Sequence, residues 1–212
     1  MGHVAIGAKA TSLSYTITTL SGQGQYVPAG AMCRNEPEDK MATIRQRLES
    51  DDHSVYLLAT RELTALPRDE VVKMLWDIAQ SHSGEVQARM MDRLNDFDPE
   101  LANSLALQIL DYDYSIYHAD ALYSLWKTRS SAGVAGASTM LLSHPDAIVR
   151  LWCATYLGTC GAREHVQVLQ QALSDHGTDA EGREVCEVAE ASIAAIIERD
   201  EENGREKKRE RG

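Results

Sequence analysis

Residues His144 to Leu173 read HPDAIVRLWCATYLGTCGAREHVQVLQQAL, and the punctuation of that stretch decides the fold. Pro145 suits a first helical turn, where its missing N–H is not needed. Asp146 adds a negative charge at the positive end of the helix dipole. Val149, Cys153 and Leu157, with Ile148, Trp152 and Tyr156 beside them, recur at helical spacing, so more than one face is apolar. Gly158 and Gly161 are expected to end this helix. Val166, Leu169 and Leu173 then mark one face of a second helix. Two amphipathic helices joined by a few residues form an antiparallel hairpin. One hairpin cannot bury its own apolar faces, so it must stack on others.

Copies of the hairpin run along the chain. The apolar anchors of the first helices are Val55, Val86, Tyr117, Val149 and Val185, separated by 31, 31, 32 and 36 residues. Four positions on stand Ala59, Met90, Ala121, Cys153 and Ala189. Four further stand Leu63, Leu94, Leu125, Leu157 and Ile193. The second helices carry Val71, Leu101, Val134 and Val166 at about the same period. A period held through so many copies predicts a solenoid.

The run Asp146, Val149, Arg150, Cys153, Ala154, Leu157, Gly158 resembles the HEAT-repeat consensus, and the short period resembles the phycobilisome-lyase-type subclass of that family. At the Arg150 position the other copies have Tyr56, Gln87, His118 and Cys186, so the Asp–Arg pair is confined to this copy. The resemblance covers about residues 41–198. It implies an all-α fold, a curved, right-handed α-solenoid of four to five HEAT-like hairpins whose second helices line the concave side.

The predicted organisation has three parts. Residues 1–37 differ from the rest: ATSLSYTITTL is rich in Thr and Ser, and SGQGQYVPAG is turn-like, so a disordered or extended segment is expected. Met32 and Met41 offer later starts. Residues 38–198 form the solenoid, opened by a capping helix with Met41, Ile44 and Leu48 on one face. The hairpins follow at 54–80, 84–110, 114–142 and 144–173, and a helix over 180–199 closes the end. Gly133 and Gly136 weaken the third hairpin's second helix by about 1 kcal/mol each relative to Ala, or else permit close packing. Residues 199–212 are a charged tail, helical in solvent or disordered.

Charge narrows the partners. The net charge is −11, and residues 38–197 hold 13 Lys and Arg against 25 Asp and Glu, a balance of −12. Such a surface repels nucleic acid, and no basic stripe offsets it. A basic protein is its natural complement. No apolar run approaches the length that crosses a bilayer. Four cysteines without CxxC spacing, one of them (Cys153) on a core face, fit a reduced, cytoplasmic protein.

The chain lacks recognisable catalytic motifs. It has no GxSxG, no phosphate-cradling glycine loop and no dinucleotide fingerprint. None of the seven histidines pairs with another at i, i+4, and several sit at loops or helix starts, where exposure is expected. Ligand spacing therefore gives no metal site, and no cofactor is expected. The HEAT-type deoxyhypusine hydroxylase uses His-Glu dipeptides, whereas this chain has only Glu164–His165 in reverse. Asp51, Asp52, Asp111 and Asp113 lie in inter-helix turns, where they serve as caps.

These readings leave the surface. Val71, Leu75 and Ile78 face the core from the first of the second helices. Trp76 points elsewhere, with Lys73 and Asp77 beside it, and Leu107 takes a comparable place in the next hairpin. Lys73, Trp76, Asp77 and Leu107 are the predicted protein-binding residues, Trp76 being either the hot spot of the group or a residue packed between neighbouring repeats. The expected function is a non-enzymatic scaffold or adaptor, in one version a stoichiometric inhibitor of the immunity type. The alternative that the resemblance implies is a phycobilin lyase-like enzyme or enzyme subunit.

Overall fold

The computed structural model describes residues 36–209, residue 114 excepted; the expectations for residues 1–35 lie outside the described residues. The described chain is helical throughout: α1 (Glu36–Leu48), α2 (His53–Leu63), α3 (Arg68–Ser81), α4 (Glu85–Phe97), α5 (Pro99–Leu110), α6 (His118–Lys127), α7 (Val134–Ser143), α8 (Ala147–Cys160), α9 (Val166–Gln171) and α10 (Val185–Arg209). Short 3-10 turns flank α9 at Arg163–His165 and Ala172–Ser174. Among the described residues the only β pairing is an isolated antiparallel bridge between Thr178 and Glu184. No helix among them is long and apolar enough to cross a membrane.

Three helices start on an aspartate cap, but of the turn aspartates expected to cap only Asp52 does so; among the described residues Asp51, Asp111 and Asp113 accept no bond from a helix start. Asp52 accepts from the backbone N–H of Ser54 at 2.8 Å, Asp98 from Leu101 at 3.1 Å, and Asp146 from Ile148 at 2.8 Å. Pro99 occupies the first turn of α5, where its missing N–H is not needed. Pro145 does not: Asp146 takes the cap, so Pro145 stands one residue before the cap and two before α8. The last helix begins at Val185 rather than near 180, because residues 175–184 fold into a loop of their own. It then runs through Glu198 to Arg209, so the charged tail continues the helix.

Packing follows chain order. α4 packs on α3, α5 and α6; α6 packs on α5 and α8; α8 packs on α7 and α10; and α1 packs on α2. Every substantial helix–helix contact joins elements no more than two places apart. Most of the repeat positions are core positions, although Val55, Val86, Tyr117, Leu101, Val166 and Ile193 are only half-buried. Ala59, Met90, Ala121, Cys153 and Ala189 are buried, as are Leu63, Leu94, Leu125 and Leu157. One hydrophobic cluster extends from Ile44 and Leu48 in α1 to Val185, Ala189 and Ile196 in α10. The buried Cys153 thiol is free, and removal from water pushes its pKa far up.

Two glycines act through packing. Gly158 lies inside α8 and does not end it; Gly161 does. A Cβ at Gly158 would stand 2.5 Å from Ser192 Oγ and 2.7 Å from Ser192 Cβ, so its bare face is where α10 crosses α8. Ser192 Oγ donates to the carbonyl of Ala154 at 2.8 Å in the same crossing. At Gly133 a Cβ would meet Leu125 Cδ1 at 2.6 Å, while its N–H donates to the Tyr156 hydroxyl at 3.1 Å. Tyr156 in turn donates to the carbonyl of Ser130 at 2.6 Å. Gly133 thus serves close packing.

The expected exposure of the helix-start histidines fails at one pair. His118, the first residue of α6, and His144, which follows α7, are both buried, with His118 Nδ1 3.2 Å from His144 Nε2. Their helices converge there, which single-helix spacing cannot register.

Candidate protein-binding cleft

A cleft of about 480 Å³ opens where α2, α4 and α6 lie side by side. Its floor is polar but satisfied. Asn95 on α4 and Ser124 on α6 exchange two hydrogen bonds, Asn95 Nδ2 donating at 3.0 Å and Ser124 Oγ at 3.2 Å, both residues being buried. Reciprocal bonding of this kind fixes the spacing between the two helices.

One wall is an aromatic ring capped by a cation. Tyr56 on α2 is buried, and the Arg89 guanidinium from α4 lies 4.8 Å from its ring centroid. Arg89 Nη1 donates to the carbonyl of Ser50 at 2.9 Å, and its Nε stands 3.8 Å from Glu85. Arg93, one turn on, pairs with Asp92 and lies 3.5 Å from Asp96, which also meets Lys127 at 3.4 Å. Both cleft arginines therefore have carboxylate neighbours.

Asp120, at the start of α6, has none to match. It lines the cleft and makes no hydrogen bond or ion pair among the described residues; the charged neighbour that bears on it is Asp92. Beside it Tyr123 is 38% exposed and continues the wall into an aromatic group. Its ring stacks on Trp126 at 5.7 Å and meets Trp152 of α8 edge-on at 5.4 Å, with Trp126 and Trp152 at 6.3 Å. The Trp126 indole N–H donates to Thr159 Oγ1 at 3.0 Å, which fixes that ring.

The residues predicted from sequence lie on the opposite helices. Lys73 and Asp77 are exposed and border a shallow groove between α1 and α3, with Met41, Arg45 and Met74. Trp76 is half-buried against the core and shares a second groove with Lys73, Arg68, Val72 and Leu101. Leu107 is half-buried on α5 and lines neither groove. The structure thus brings Lys73 beside Asp77 and beside Trp76, and leaves Leu107 apart. Tyr123, Trp126 and Trp152 read from sequence as packing residues. Repeat spacing gave no signal that they share a face: Trp126 stands nine residues past the anchor Tyr117, whereas Trp152 stands three past Val149. The chain matches no family model and no curated protein.

Proposed function

We propose that the helices form a right-handed α-solenoid of HEAT-like hairpins, and that the chain is a binding module, an adaptor or stoichiometric inhibitor, which grips a basic segment of another protein in the α2–α4–α6 cleft. The observation that carries this reading is Asp120, a carboxylate without a cation, set in an aromatic-walled cleft on an acidic body. A partner Lys or Arg entering beside Tyr123 would meet both an opposite charge and a ring face. Trp, Tyr and Arg are the residues over-represented in binding hot spots. The zigzag order of helix contacts supports the stacked arrangement, and three free cysteines among the described residues fit a reducing compartment.

The test titrates the full chain with a Lys- and Arg-rich peptide carrying one aromatic residue, and with its acidic counterpart, following tryptophan fluorescence. The basic peptide should bind, more weakly as salt rises, and Asp120→Asn or Tyr123→Ala should each raise Kd about tenfold, the equivalent of about 1.4 kcal/mol. Trp76→Phe and Leu107→Ala should leave Kd unchanged. Equal binding of the acidic peptide would overturn the reading. Sensitivity to Trp76 and Leu107 instead would move the site to the α3–α5 side. A visible absorption band in the purified protein would favour the bilin-lyase alternative.

A further inference from the structure

The loop between α9 and α10 gathers a nitrogen, an oxygen and a sulfur ligand at one point. His176 Nδ1 lies 2.7 Å from Glu184 Oε2, Cys186 Sγ lies 3.1 Å from the same oxygen, and the sulfur and nitrogen are 3.7 Å apart. Ligands about 2.0–2.3 Å from a tetrahedral zinc stand roughly 3.3–3.6 Å from one another. The three separations bracket that range, and a withdrawal of the Glu184 carboxylate by about half an ångström would bring its two separations onto it, with the nitrogen–sulfur distance of 3.7 Å just beyond.

The approach is built by backbone, not by chance contact of long side chains. The residues on either side of His176 are both tied to the far strand of the loop. The N–H of Cys186 donates to the carbonyl of Asp175 at 2.9 Å, and that of Val185 to the carbonyl of Gly177 at 3.0 Å. Thr178 and Glu184 bridge antiparallel just beyond. Asp175 is in turn clamped by Arg150 of α8, Nε to Oδ2 at 2.6 Å and Nη2 to Oδ1 at 3.1 Å. Cys186 sits in the first turn of α10, a rigid element packed on α8. The ligand positions are thus set before any ion arrives, which spares the ordering cost that a floppy loop would incur.

We propose that His176, Glu184 and Cys186 form a binding site for one zinc-class divalent cation, with the fourth position left to water. The donor set decides the class. A thiolate and an imidazole select zinc-like ions over calcium or magnesium, which take oxygen ligands. Three protein ligands and an open side, where His176 is 74% exposed, give the incomplete shell that leaves room for water or a further ligand. Binding displaces the thiol proton of Cys186, so affinity rises with pH. The spacing of 8 and 10 residues along a non-helical loop explains why the sequence shows no ligand motif here.

Cobalt(II) reports on such a site. The full chain, freed of metal with chelator, is titrated with Co²⁺ alone. A near-ultraviolet thiolate-to-cobalt charge-transfer band should saturate at one equivalent, and Zn²⁺ should abolish it by displacement. Cys186→Ser should remove the band while leaving the helical circular-dichroism signal intact. His176→Asn and Glu184→Gln should each weaken Co²⁺ binding about tenfold or more. As a second readout in the unaltered protein, Zn²⁺ should protect Cys186 from alkylation, mapped by mass spectrometry. Absence of the band, its survival in Cys186→Ser, or undiminished alkylation of Cys186 under saturating Zn²⁺ would each overturn the proposal.

Discussion

Single residues set the tolerances of this fold, and two glycines of one chemistry should respond in opposite directions. Gly158 has its bare face against Ser192, where even a methyl would come within 3.0 Å of the Ser192 Cα. Backbone cannot yield there without parting α8 from α10. Gly158→Ala should therefore destabilise the protein by about 1–3 kcal/mol, the usual cost of overpacking. Gly136 lies inside α7 with nothing within 4 Å of an added Cβ. There the helix propensity of alanine acts unopposed, and Gly136→Ala should stabilise by about 0.5–1 kcal/mol. Urea midpoints of the two variants, read against the parent, check both signs; two losses of equal size would mean that the α8–α10 crossing is not the tight one. Sequence alone left Gly136 between two readings and misplaced Gly158. Gly158 reads as a helix stop because glycine near the end of an apolar run commonly is one, and only the crossing of α10 shows that it is a contact.

At the scale of elements, the junction of α6 with the end of α7 carries a pH dependence. His118 and His144 meet there in a buried pair at 3.2 Å. Burial, and next the charge of His144, depress the His118 pKa below its usual 6.5; the nearby carbonyls of Ile109 and Tyr112 oppose this only in part. The sign follows from proton counting. Below about pH 6.5 the unfolded chain takes up a proton that folded His118 declines, so the unfolded state gains. Stability should be full above that pH and fall as pH drops through the window beneath it. His118→Gln should lose less stability than the parent between pH 7.5 and 5.5, measured by thermal midpoints; parallel curves would remove His118 as the cause. The elements themselves were largely legible. Their period marks helix after helix, because that signal is local. The His118–His144 contact, the loop at 175–184 and the cleft were not, because each joins residues 8 to more than 30 apart through the angle at which helices cross. Val71, Leu75 and Ile78 could be placed in the core from spacing. Tyr123, Trp126 and Trp152 could not be separated from core by spacing, since an aromatic at a helical interval looks the same whether its edge is covered or bare.

For the whole molecule, the order of contacts makes a claim about cooperativity. A globule wrapped round one centre would join its first helix to its last, and damage anywhere would be felt everywhere. Here α1 packs on α2, α8 packs on α6, α7 and α10, and every substantial contact reaches no further than two elements. In a solenoid, as proposed, stability is close to a sum of local terms and neighbour interfaces. Truncating a buried side chain at one end, as in Leu48→Ala in α1, removes about 2–5 kcal/mol of local packing. That loss should open α1 and α2 well before the far end notices. Native-state hydrogen exchange reads it directly: amides of α1 and α2 should lose protection by a hundredfold or more, the equivalent of about 2.7 kcal/mol, while those of α8 and the first half of α10 hold theirs. The reciprocal substitution, Leu157→Ala in α8, should spare α1 and α2. If Leu48→Ala lowers protection in α10 as much as in α1, the chain unfolds as one unit, and the proposed solenoid, with the side-by-side helices that frame the cleft, loses its physical basis.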